Sequence, residues 1–197
     1  MNSKINSITK ELDEHLNSVK KILNDKELLN KILIISQKCI SAIKKGNKII
    51  FIGNGGSAAD AMHLTAELVG KLKFKRKPLP AIDLVSNPSI LTSIGNDYKF
   101  EDIFTKQIES IGKKRDILIA ITTSGLSKNI INAIKISDKI GLDTIILTGN
   151  KKNYLNKYKS YILKVPDTNT QRIQECHILI GHIFCSLIEN AFVKKIN

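Results

Sequence analysis

Residues 51–70 read FIGNGGSAADAMHLTAELVG. A short apolar run enters Gly53-Asn54-Gly55-Gly56-Ser57 and then a stretch with helical spacing that carries His63 and Glu67 one turn apart. Strand, glycine turn and helix in immediate succession are the opening of a βα unit. The pattern then repeats. From Lys48 on, the apolar runs KIIFIG, LPAIDLV, DILIAIT, DTIILTG and YILKV alternate with AADAMHLTAELV, EDIFTKQIESI and KNIINAIKISDKI, which have helical character. Near-continuous apolar strands joined by helices belong to a parallel sheet buried on both faces. The expected fold is therefore α/β: a five-stranded parallel sheet covered by helices on both faces, closed by a long helix over TQRIQECHILIGHIFCSLIENAFV.

Two further helices are expected before the sheet. Ile5, Ile8, Leu12, Leu16, Val19 and Leu23 recur every three or four residues and form one apolar stripe. KELLNKILIISQKCISAIKKG is apolar on more of its circumference and stops at Gly46. Such helices must cover the sheet or meet their counterparts in another subunit. No Pro/Gly linker and no internal repeat interrupts the chain, so one domain over residues 1–197 is expected, with residues 1–45 as a helical extension and 46–197 as the α/β core.

The bulk numbers narrow the function. A length of 197 residues with 42% hydrophobic and 25% charged residues is ordinary for a globular domain. No apolar run is long enough to span a bilayer, and the opening MNSKINSITKELDEHL has no signal-peptide core, so a cytoplasmic location is expected. Cys39, Cys176 and Cys185 lack metal or disulfide spacing and read as buried thiols. The net charge of +13 is spread along the chain, with one modest cluster at KLKFKRK. No nucleic-acid motif accompanies it, so the charge suits steering of an anionic metabolite better than nucleic-acid binding.

In a parallel sheet, ligands bind beyond the carboxyl ends of the strands. Two such loops carry the right groups. Asn54, Gly55, Gly56 and Ser57 form a glycine turn at a helix start, where free N–H groups favour an anion. TTSGLS places the hydroxyls of Thr122, Thr123, Ser124 and Ser127 at another. Either loop alone also fits an ordinary turn and cap. A dinucleotide is disfavoured, because KLKFKRK holds only bases where the fingerprint wants an acid for the ribose. A sugar phosphate fits better, with Asn96-Asp97 of IGNDYKF adding polar groups for the sugar.

His63 and Glu67 share a helical face, while Gln174 and His182 are eight apart, roughly 80° in bearing and about 12 Å along an ideal axis. His177 has another bearing. These pairs also suit a surface ion pair and a structural contact, but LTAELV and ILIGHIFC set Glu67 and His182 among apolar residues, and a buried acid or histidine needs a reason.

Together GNGGSAADAMHLTAEL, IGND, TTSGLS and RIQECHILIGH, in one order over residues 30–190, resemble the phosphoheptose isomerases, a branch of the sugar-isomerase (SIS) domain proteins. The resemblance implies the SIS, flavodoxin-like sandwich, a homotetramer, bound zinc, and conversion of D-sedoheptulose 7-phosphate to D-glycero-D-manno-heptose 7-phosphate for surface polysaccharide. It implies that Thr122, Thr123, Ser124 and Ser127 hold the phosphate. Asn54, Gly55, Gly56, Ser57, Asn96, Asp97, Glu67 and Gln174 would line the sugar site, Glu67 and His182 would be the acid/base pair, and His63, Glu67, Gln174 and His182 the metal ligands. Gln171 stands where some members carry Asp. A regular helix cannot easily bring Gln174 and His182 to one metal, so an irregular helix start, ligands from different subunits or partial binding is required. The rivals are a non-catalytic SIS protein that binds a replication initiator, which needs neither Glu67 nor His182, and an isomerase of another phosphosugar.

Overall fold

The computed structural model describes residues 2–153, 155–158 and 160–193. Two helices, α1 (Asn2–Asn24) and α2 (Lys26–Lys44), precede β1 (Ile49–Gly53), α3 (Gly56–Val69), β2 (Ala81–Asp83), α4 (Pro88–Asp97) and α5 (Thr105–Ile111). Then come β3 (Ile117–Ile121), α6 (Lys128–Ile140), β4 (Asp143–Gly149), β5 (Ser160–Val165) and α7 (Thr170–Asn190). All strands pair in parallel in the order β2-β1-β3-β4-β5. The five expected strands are all present. The direction in which successive strands are added to the sheet reverses between β1 and β3, the switch point at which open α/β sheets bind ligands.

Alternation along each strand divides the core. Phe51, Ile119, Ile145 and Leu163 point to a layer built with α2, α3 and α7, whereas Ile50, Ile52, Leu118 and Ile146 point to one built with α5 and α6. Every residue of β1 and β3 is buried. Burial on both faces is why these strands read as continuous apolar runs rather than alternating ones.

Three features differ from the sequence expectation. First, β2 is a three-residue edge strand, shorter than LPAIDLV. Second, a helix absent from that expectation, α4, starts at Asn87, whose side chain accepts from Ile90 N, with Pro88 in its first turn. It escaped notice because none of its residues is buried. Third, EDIFTKQIESI is broken into a 3-10 turn at Phe100–Asp102 and the short α5.

The apolar stripe of α1 lies outside. Ile5, Ile8, Leu12, Leu16 and Leu23 are 51–67% exposed, and only Val19 of that set packs on the core. The inward face meets the core through Val19 and Ile22 near its end and is polar before them. His15 Nδ1 lies 2.7 Å from Glu175 Oε2, the Ser18 hydroxyl donates to Asp167, and Arg172 donates to the Glu11 carbonyl. Arg172 Nη2 also bonds Glu175 Oε1 at 2.6 Å. Thus α1 is fastened to the start of α7 by charges and hydroxyls.

Candidate active site

The two loops lie side by side, at the carboxyl ends of the neighbouring strands β1 and β3. They are tied together. Asn54 Nδ2 donates to Asn129 Oδ1 at 2.9 Å and Asn129 Nδ2 donates to Asn54 Oδ1 at 2.8 Å. Asn129 is buried in the first turn of α6 and also accepts from Ile130 N. Reading the sequence did not single it out, since Asn beside Lys at a helix start looks like a solvated position.

The TTSGLS loop is shaped by its own hydroxyls. Thr122 Oγ1 accepts from Gly125 N at 3.1 Å and Ser124 Oγ accepts from Leu126 N at 3.2 Å. Accepting leaves each O–H free to donate. Ser127 flanks α6 without a capping bond from its side chain, so its hydroxyl and the helix N–H groups beside it remain free for an anion.

Helices α3 and α7 run side by side in the same direction. A Cβ on Gly56 would come 1.7 Å from Gln174 Nε2, so the glutamine amide rests directly on the glycine loop. Further along, His63 Nε2 lies 3.1 Å from Glu67 Oε1 and 3.1 Å from His182 Nε2, with the imidazoles edge to face at 4.9 Å between centroids. One ligand atom from each of the three residues can be chosen within 4.8 Å of the others. Two imidazole nitrogens and a carboxylate at that separation suit zinc, with a position left open.

Three expectations are qualified. The Glu67 side chain is 20% exposed and that of His63 52%, so in one chain this trio is an open cleft rather than a buried acid. Gln174 stands with the loop, and α7 is a regular helix from Thr170 to Asn190, which removes an irregular helix start as a way to bring Gln174 to the trio. Asn96 and Asp97 lie in the last turn of α4, exposed, with Asn96 Nδ2 bonded to Asp97 Oδ1 at 2.9 Å. The 3-10 turn just beyond them meets α6, where Glu101 lies 3.7 Å from Lys128 and its carbonyl accepts from Asn132.

The buried acid nearby is Asp60, one turn before His63. Burial pushes its carboxyl up to about 6, with the charge of His63 acting the other way. Its Oδ2 has no hydrogen-bond partner. The cysteines are free and buried as expected, and burial pushes the Cys39 thiol up to about 12.

The model of the SIS domain family matches residues 13–149. A phosphoheptose isomerase from Clostridium acetobutylicum is 45% identical over 193 residues, covering 98% of each chain. The chain belongs to the phosphoheptose isomerase family. Another member, from Nitratiruptor, is 47% identical over 94% of this chain and 98% of its own. The solved phosphoheptose isomerase of Francisella tularensis superposes with a TM-score of 0.91 at 34% identity, over 95% of this chain and 98% of that one. That of Neisseria gonorrhoeae gives 0.84 at 33% identity, over 94% and 98%. The fold sets the two loops side by side at the carboxyl ends of β1 and β3, with the His–Glu–His trio on the helices α3 and α7 behind them.

Proposed function

We propose that this chain is an aldose–ketose isomerase that converts D-sedoheptulose 7-phosphate to D-glycero-D-manno-heptose 7-phosphate through an enediol. The observation that carries the reading is the convergence of His63, Glu67 and His182 beside two anion-suited loops, in a chain whose relatives are named phosphoheptose isomerases over nearly their full length. A non-catalytic SIS protein has no need of that trio.

Thr122, Thr123, Ser124 and Ser127 hold the phosphate with hydroxyl donors and the α6 amides. Asn54, Gly55, Gly56, Ser57, Asn96, Asp97 and Gln174 bind the open-chain sugar. The Glu67 carboxylate takes the proton from C1, and His182 gives one to the C2 oxygen, leaving the enediol. His182 then takes the proton of the C1 hydroxyl as C2 is protonated from Glu67, and the carbonyl is moved to C1. An imidazole serves both oxygens because it gains and loses a proton near neutral pH.

His63, Glu67 and His182 fit zinc, and Gln174, if it is a ligand, reaches the ion from another subunit. The metal would polarise the substrate carbonyl as a Lewis acid. Assembly is a homotetramer, with the outward stripe of α1 as part of its contacts. No helix among the described residues is long and apolar enough to cross a membrane. We place the enzyme in the cytoplasm, feeding activated heptose to lipopolysaccharide or capsule.

The test is proton NMR of the protein with sedoheptulose 7-phosphate. An aldoheptose anomeric signal is expected from the parent, and a rate at least about 10³-fold lower from Glu67→Gln, which keeps the shape and loses the base. Equal turnover by both would remove Glu67 from its role.

A further inference from the structure

A buried ion pair lies at the other end of the helix pair that carries the trio. The chain leaves α3 at Gly70 and runs through KLKFKRK, residues 71–77, before the sheet resumes. Its lysines suggest a solvated loop, yet Arg76 turns inward. Arg76 Nη2 donates to the Glu67 carbonyl at 2.7 Å, and Nη1 to the carbonyls of Gly70 at 3.0 Å and Lys77 at 3.2 Å. Its Nε lies 3.4 Å from Oε1 of Glu189, in the last turn of α7, and both side chains are 1% exposed. The Glu189 carboxylate also accepts from the backbone N–H of Leu72, Lys73 and Phe74 at 2.9, 2.8 and 3.3 Å. One guanidinium and one carboxylate thus satisfy six backbone groups.

The Glu67 carbonyl is among the last four of α3, which have no helical donor. Arg76 therefore caps the turn that bears the proposed base, and Glu189 fixes that cap to the helix bearing His182. Between these ends the helices meet through apolar contacts and at Gly181, where a Cβ would come 2.7 Å from Leu64. Apolar burial is non-directional and tolerates a sliding of one helix along the other. Buried charges with hydrogen-bond partners do not, because a shift leaves them unpaired. A slide of one residue moves His182 by about 1.5 Å against His63 and Glu67.

We propose that Arg76 and Glu189 are positioning residues: they set the register of α3 against α7, and through it the geometry of His63, Glu67 and His182. The proposal rests on the reading of those three as the reacting groups. It separates register from stability, because replacing both members of a buried pair by apolar residues restores packing without restoring direction.

The experiment compares the parent with Arg76→Met, Glu189→Leu, the double variant and Arg76→Lys. Three quantities are read: Tm, kcat and KM on sedoheptulose 7-phosphate, and the imidazole signals of His63 and His182 in long-range proton–nitrogen NMR. Each single replacement leaves a charge buried and should lower Tm by roughly 10 °C. The double variant should regain part of that loss, since no charge is left buried although the backbone groups the pair served lose their partners. It should nevertheless keep a kcat about 10–100-fold below the parent with KM within about threefold, and show displaced imidazole signals. A double variant with the parent's Tm, kcat and imidazole signals would overturn the proposal. If the double variant does not regain Tm, Arg76→Lys decides. It keeps the charge but loses the fork that reaches three carbonyls, and displaced or unmoved signals support or overturn the assignment. If the parent itself shows no turnover, the isomerase reading fails, while the imidazole signals still judge the register.

Discussion

His177 is an imidazole that the reaction leaves aside. Its place on α7, on a bearing apart from Gln174 and His182, was legible in the sequence, but its surroundings were not. It is fully buried, and neither ring nitrogen has a well-formed hydrogen bond. Burial pushes it down to about 4, and the Thr148 backbone opposes this only weakly. The unfolded chain thus takes up this proton at higher pH than the folded one. Stability from this group is complete above the unfolded value of about 6.5 and is lost as pH falls toward 4. Asp60 works in the opposite sense, losing stability as pH rises through about 6. The variant His177→Phe isolates the first effect. From pH 6.5 down to 4 the parent should lose up to about 3 kcal/mol relative to the variant, read from urea midpoints at each pH. Parallel curves would mean that the imidazole is protonated as easily inside as outside.

The elements show where sequence reading stops. The loops after β1 and β3 were found from glycines and hydroxyls, because those residue types announce their chemistry locally. Asn129 and the Arg76–Glu189 pair were not found, because an amide or a charge carries no mark of burial until its partner, 75 residues away for Asn54–Asn129, is in place. The double amide bond between the loops should keep the sugar end and the phosphate end of the site at a fixed distance. Replacing Asn129 with Leu strands the Asn54 amide and frees the two loops from each other. We expect kcat/KM to fall by about 10–100-fold, with Tm lower by only a few degrees. Steady-state kinetics beside a melting curve separates the two; a variant with unchanged kcat/KM would show that the loops hold their spacing unaided.

For the whole molecule, five strands, their parallel pairing and the cover of both faces followed from the apolar runs. The shortness of the edge strand β2 and the presence of the helix α4 did not, since neither buries enough to leave a pattern. On α1 the periodicity was right and the side stayed open: an apolar stripe states that one face wants covering, not which surface covers it. Here Asp167 and the start of α7 take the face with Glu11, His15 and Ser18, and Leu12 and Leu16 are left outside. Replacing Leu12 and Leu16 with Glu should break the proposed homotetramer without unfolding the chain. Light scattering should give a smaller particle, with the helical circular dichroism retained; an unchanged mass would move the subunit contact elsewhere.

The fastening of α1 also bears on how the chain is made. Its partners Asp167, Arg172 and Glu175 stand 149 to 161 residues further on. At a ribosomal pace of about 5–20 residues per second, α1 waits on the order of ten seconds or more before its dock exists. During that interval the nascent chain displays an amphipathic helix with neither face occupied. Chaperones that hold short apolar segments on emerging chains would meet α1 while its dock is still unmade, and a segment synthesised early becomes one of the last to settle.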